Sequence, residues 1–118
     1  GTMSQRSLAT ALKLSQEGID AGVFVMSCIK PIDEALIVEA AQQSGAIVTA
    51  EEHSILGGLG SAVAEVLTAH HPGVLERVGI RDTFAKTGPD PESLMDACGL
   101  SVNDIIQACK KAMTRKKK

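Results

Sequence analysis

Residues 46–64, AIVTAEEHSILGGLGSAVA, decide the fold. The run Ala46-Ile47-Val48-Thr49-Ala50 is short, apolar and β-branched, which predicts a buried strand. Three titratable residues follow, Glu51, Glu52 and His53, and then Gly57, Gly58 and Gly60. From Leu59 to Ala69 the pattern is helical. Strand, polar turn, glycine-rich turn and helix in this order are the repeating unit of an open α/β sheet. Such sheets keep their working surface at the carboxyl ends of the strands, where this charged triplet falls.

Outward from that stretch the elements alternate. Residues 4–17 predict an amphipathic helix with Leu8, Ala11, Leu12 and Ser15 inward, Ser4 as N-cap and Gly18 just past the end. Residues 22–28, GVFVMSC, form a continuous apolar run that predicts a buried strand. Pro31 opens a helix over residues 32–43, with Leu36, Ala40 and Gln43 on one side, widened by Ile37 and Ala41. Residues 22–50 are thus expected to be a right-handed βαβ unit. His70, His71, Pro72 and Gly73 stop the helix after the glycines. Residues 74–80 predict a third strand, 81–90 a polar loop and 91–98 a short helix capped by Gly99. Ser101 with Asp104 is a capping-box-like start to a final helix over 101–113, buried through Ile105, Ile106, Cys109 and Met113. The expected core is a three-stranded parallel sheet, 22–28 beside 46–50 beside 75–80, between layers of helices. The fold class is α/β, a three-layer α/β/α arrangement with a mostly parallel sheet.

The 118 residues make one domain with a real core. Phe24 and Phe84 are its aromatic residues, so it is built from aliphatic side chains and has no stacking platform for nucleic acid. Six of the twelve basic residues lie in the last nine positions. Residues 1–109 hold six basic against fourteen acidic groups, about −8, which disfavours a polyanion-binding face. The basic end is expected to stay solvated as a tail over 114–118, complementing its own helix dipole. Gly1-Thr2 ahead of Met3 reads as a cloning remnant, with the domain over 4–113. Cys28, Cys98 and Cys109 are odd in number and lack metal-ligand spacing. This points to a reducing, cytoplasmic setting, with Cys28 and Cys109 as small core residues. No stretch reads as a membrane span or a signal peptide.

The triplet is the one concentration of proton-transfer groups. A histidine beside carboxylates suits a base or a metal ligand. Neighbouring residues point in different directions, however, and a glutamate here more often caps the next helix or pairs across an interface. The run Gly57-Gly58-Leu59-Gly60 lacks the lysine of a phosphate loop and the spacing of a dinucleotide motif. Its glycines serve a turn and close packing more readily than an anion. His70-His71 suits a helix end better than a metal. The residues themselves therefore stop at an α/β domain with a polar, glycine-rich edge.

Three motifs in order go further: Ile29-Lys30-Pro31-Ile32-Asp33, Glu51-Glu52-His53 and Gly57-Gly58-Leu59-Gly60-Ser61-Ala62-Val63. With residues 78–88, VGIRDTFAKTG, and the closing helix, they resemble the C-terminal domain of transketolases from Ser4 to Met113. The resemblance implies a thiamine-diphosphate enzyme of carbohydrate metabolism, in the pentose phosphate pathway. Such an enzyme moves a two-carbon ketol unit between sugar phosphates. Related domains occur in the pyruvate dehydrogenase β subunit and in deoxyxylulose-phosphate synthase. The resemblance implies that thiamine diphosphate and Mg are held by two other domains. This one supplies no catalytic, cofactor or metal residue; it packs on the remaining domains or subunit and helps build the dimer. Glu51, Glu52, His53, Gly57, Gly58 and Gly60 are then interface candidates, and the chain by itself is expected to be inactive and to self-associate. It also implies a further strand, ahead of the first helix and lying between 22–28 and 46–50, so the fold reads as truncated at its N-terminal strands. The alternative is a free-standing binding or assembly module derived from such an enzyme.

Overall fold

The computed structural model describes residues 2–26, 30–54, 58–80 and 96–116. Two strands, β1 (Ala46–Ser54) and β2 (Val74–Ile80), pair in parallel, joined through helix α3 (Leu59–His70). Helix α1 (Thr2–Gln16) and helix α4 (Val102–Lys116) pack together, as do α2 (Glu34–Ser44) and α3.

Side chains of a strand alternate between its faces, and this alternation builds the layers. Ile47 and Leu75 point into a cluster centred on Ile37, Ala41, Val63, Val66 and Leu67 of α2 and α3. Val48, Ala50, Val78 and Ile80 point the other way, against Met3 of α1 and Leu100 and Ile105. The result is the expected three-layer α/β/α arrangement, with two cores back to back across the sheet.

Local chemistry explains the helix ends. The Asp33 carboxylate accepts from the Leu36 amide at 3.1 Å, so Asp33 is the N-cap of α2 and Pro31 lies outside the helix. Gly45 ends α2 with φ 78°, in the left-handed region that glycine enters without strain. Ser101 and Asp104 form the reciprocal capping box. The Ser101 amide donates to Asp104 Oδ2 at 3.0 Å, and the Asp104 amide donates to Ser101 Oγ at 3.1 Å. The buried line of α2 runs through Ile37 and Ala41, with Gln43 exposed rather than inward.

Four expectations are corrected. Residues 22–26 are not a strand, and the sheet among the described residues has two strands rather than three. An apolar run becomes a strand only when a neighbour takes its hydrogen bonds. Among the described residues no strand pairs with this run; Met26 reaches the α2–α3 core, and Phe24 and Val25 are exposed. Cys28 lies outside the described residues.

The second correction concerns α1. It starts at Thr2, so Ser4 is not its cap and Met3 belongs to the core. Its buried side is Met3, Arg6, Thr10 and Leu14, while Leu8 and Leu12 are 56% and 68% exposed. Leucine burial is worth about 1.5–3 kcal/mol each, so the sequence pattern favoured the opposite face. Arg6 reverses it through bonds to distant residues. Its guanidinium donates to the Leu100 carbonyl at 2.8 Å and to Asp96 at 2.7 Å. The Thr10 hydroxyl donates to the Arg6 carbonyl at 2.9 Å.

Third, β1 runs on through Ser54, so the charged triplet lies in the strand and not in a turn. Fourth, the described part of the basic end is exposed but helical, because α4 continues to Lys116; residues 117–118 lie outside the described residues. Arg115 and Lys111 reach Glu76, and Arg115 donates to the Leu75 carbonyl at 3.0 Å. Lys116 Nζ donates to the Ser44 carbonyl at 2.8 Å, placing its charge at the C-terminus of α2, not of its own helix. Most of the expected loop and short helix over 81–98 lies outside the described residues. Among the described residues, no helix is long and apolar enough to cross a membrane.

Candidate functional site: the carboxyl end of β1

Ala50 pairs with Val78 but Ser54 pairs with Ile80, so β1 carries extra residues against β2 across the triplet. The strand leaves regular register where its charged groups are.

Glu51 and Glu52 project to opposite faces, and each meets a helix N-terminus. Glu51 is buried, 7% exposed. Its Oε1 accepts from the Leu59 amide and its Oε2 from the Gly60 amide, both at 2.8 Å. The N-cap residue of α3 is Gly58, which has no side-chain oxygen to offer. Glu51 supplies that cap from eight residues upstream, and its negative charge opposes the positive end of the helix dipole. Glu52 is exposed, and its Oε1 accepts from the Met3 amide at 3.3 Å, in the first turn of α1. Adjacent carboxylates thus tie the end of β1 to the helical layers on both sides.

Gly60 has a packing reason. The α3 N-terminus sits on the cross-strand pair Thr49 and Arg77. A Cβ on Gly60 would lie 2.6 Å from Arg77 Cδ and 3.0 Å from Thr49 Oγ1. The Thr49 hydroxyl is buried beneath it with no hydrogen-bond partner among the described residues.

This arrangement limits what the described N-terminus of α3, Gly58 to Gly60, offers. An anion at the α3 N-terminus would need the Leu59 and Gly60 amides. Both are engaged by Glu51, whose carboxylate would also repel a pyrophosphate. The donor set does not fit thiamine diphosphate here. Glu51 has the helix-capping role, its carboxylate tied to two amides rather than turned toward a substrate.

His53 lies in β1, but its side chain is outside the described part, as is Gly57. Gly58 is the α3 N-cap and Gly60 the buried contact, so the described candidates do converge around one strand end. His70 stands apart, at the far end of α3, with Nε2 3.2 Å from the Glu34 carboxylate on the α2 N-terminus. Cys109 packs against the α1–α4 core, where burial pushes its thiol up, so it stays protonated beyond its ordinary range. Arg6 carries no signal of its role in the sequence: flanked by Gln5 and Ser7, it has no local feature that turns it inward.

Against known proteins, the family described as "Transketolase, C-terminal domain" matches residues 1–105. The chain is 40% identical over 116 residues to the 6-deoxy-6-sulfo-D-fructose transketolase subunit SqwH of Clostridium sp. (strain MSTE9), covering 98% of this chain and 36% of that protein. It is 44% identical over 108 residues to the 1-deoxy-D-xylulose-5-phosphate synthase of Bordetella petrii, covering 89% of this chain and 16% of that protein. A solved structure described as "Split gene transketolase, inactive beta4 tetramer" superposes with a TM-score of 0.92 at 46% identity, over 98% of this chain and 38% of that one. The chain therefore spans little more than a third of these relatives, or less. The match over 105 residues, the shared fold and the ordered motifs carry one conclusion: this chain belongs to the transketolase C-terminal domain family.

Proposed function

We propose that this chain is the non-catalytic C-terminal domain of a cytoplasmic transketolase-type enzyme, and that its work is packing and assembly. In the assembled enzyme, two-carbon ketol transfer between sugar phosphates takes place in the remaining domains or subunit. Those parts hold the thiamine diphosphate and Mg. The observation that carries this reading is the end of β1. Its buried carboxylate has both oxygens on α3 amides, which supports a capping role for Glu51 over proton transfer. The relative described as an inactive beta4 tetramer supports self-assembly of such chains without activity.

On this reading His53, Glu52 and the glycine turn meet another domain or protomer. Substituting His53→Ala in the assembled enzyme weakens association and leaves kcat of the intact assembly within a few-fold. A large fall in kcat with assembly intact refutes the reading, because a lost transition-state contact lowers kcat directly. The relatedness to deoxyxylulose-phosphate synthases supports a second reading, in which the parent enzyme condenses rather than exchanges its two-carbon unit. Turnover assays of the assembled enzyme with each substrate class separate the two.

A further inference from the structure

Helix α4 is held in two different ways along its length. Its first turns carry the buried side chains Ile105 and Ile106 and start at the Ser101–Asp104 capping box. Ala112 is its last buried residue, and Thr114, Arg115 and Lys116 are all exposed. Polar contacts fasten this end. Lys110 Nζ lies 3.0 Å from the Glu17 carboxylate, just past the end of α1. Lys111, at 3.6 Å, and Arg115 both engage Glu76 of β2. Arg115 also donates to the Leu75 carbonyl at 3.0 Å, and Lys116 to the Ser44 carbonyl at 2.8 Å. One helix end thus reaches the ends of α1 and α2 and the start of β2.

Glu76 is the anchor. Its side chain is 13% exposed, against 69% for Lys111 and 47% for Arg115. A carboxylate so enclosed holds its cations more strongly than an open surface pair does. Lys111 and Arg115 are four residues apart on the helix, where like charges repel. Glu76 turns that repulsion into a bridge. Without it the two cations oppose each other, and no buried side chain beyond Ala112 holds the turn down.

We propose that residues 110–116 are an electrostatic strap over the amino end of the sheet, which opens as a unit while the rest of the domain stays folded. Leu75 pairs with Ile47 and Glu76 with Val48, so the strap lies toward the other end of β1 from the Glu51 cap. Ionic strength is its lever. Salt shortens the reach of exposed charges from ~10 Å at ~0.1 M to ~3 Å at ~1 M, and it does not weaken the burial of Ile105 and Ile106. The inference does not depend on the proposed function.

Amide hydrogen exchange of the purified chain, followed residue by residue by NMR at low and high sodium chloride, tests this, because protection reports local opening apart from global unfolding. Raising the salt from ~0.02 M to ~1 M should lower protection at 112–116 at least about fivefold and leave that at 105–109 within about twofold. Glu76→Gln should show the low protection of 112–116 at both salt concentrations. Arg115→Gln, at an exposed position that supports no core, should show the same loss at low salt. An equal response along the whole helix, protection at 112–116 unmoved by salt, or variants that keep the parent's salt response would overturn the proposal.

Discussion

Replacing Glu51 by alanine removes the tie between β1 and α3. The side chain is 7% exposed and makes two bonds of 2.8 Å to helix amides. Hydrogen bonds to a charged group contribute about 1.5–3 kcal/mol each. Losing an N-cap alone costs about 0.5–2 kcal/mol. The two losses are the same bonds seen twice and do not add. With two donors left at a buried helix end, a net cost of about 3–4 kcal/mol follows. Against a typical stability of about 5–15 kcal/mol this is severe. For an m-value of about 2 kcal/mol/M, the urea midpoint moves down by about 1.5–2 M. The assay is urea unfolding followed by circular dichroism, with Glu52→Ala as the comparison. Glu52 is exposed with one 3.3 Å bond, so its loss costs under about 1 kcal/mol. Equal midpoints for the two variants, or a Glu51→Ala shift under about 0.5 M, would refute the capping argument.

Two further outcomes follow from the core. Thr49→Val keeps the shape and removes a buried hydroxyl without a partner among the described residues, so it should stabilise by about 1 kcal/mol, read as a raised urea midpoint. Burial raises the folded-state thiol of Cys109, so the unfolded chain loses its proton first as pH rises. The stability this group contributes is whole below about pH 8.5, the ordinary thiol value, and declines above it up to the raised folded value. Unfolding midpoints measured from pH 7 to 10 should fall less steeply in Cys109→Ala than in the parent.

What the sequence made legible was local. Ser101 with Asp104, and the glycines at 18, 45 and 99, all with φ near 80°, mark their helix ends by chemistry within a few residues. The strand Val74–Ile80 was readable for the same reason. The faces and pairings that failed were decided far away in the chain. Arg6 is drawn inward by the Leu100 carbonyl, 94 residues on. Lys116 leaves the expected tail for the Ser44 carbonyl, 72 residues back. Residues 22–26 have strand composition, but a strand needs a neighbour's backbone, and composition carries no information on that. At the candidate site the sequence left the Glu51–His53 triplet as base, metal ligand, helix cap or interface contact. The two amide bonds select the cap, and only the path of β1 beneath α3 could reveal it.

On the proposed function this chain assembles but does not catalyse. Its most direct test is a ketol-transfer assay with ketose phosphate, thiamine diphosphate and Mg, run on the purified chain alone and after adding the polypeptide that carries the remaining domains. The expected result is no turnover alone, complex formation on mixing, and activity in the mixture that falls when this chain is withheld. Turnover by the chain alone would contradict it.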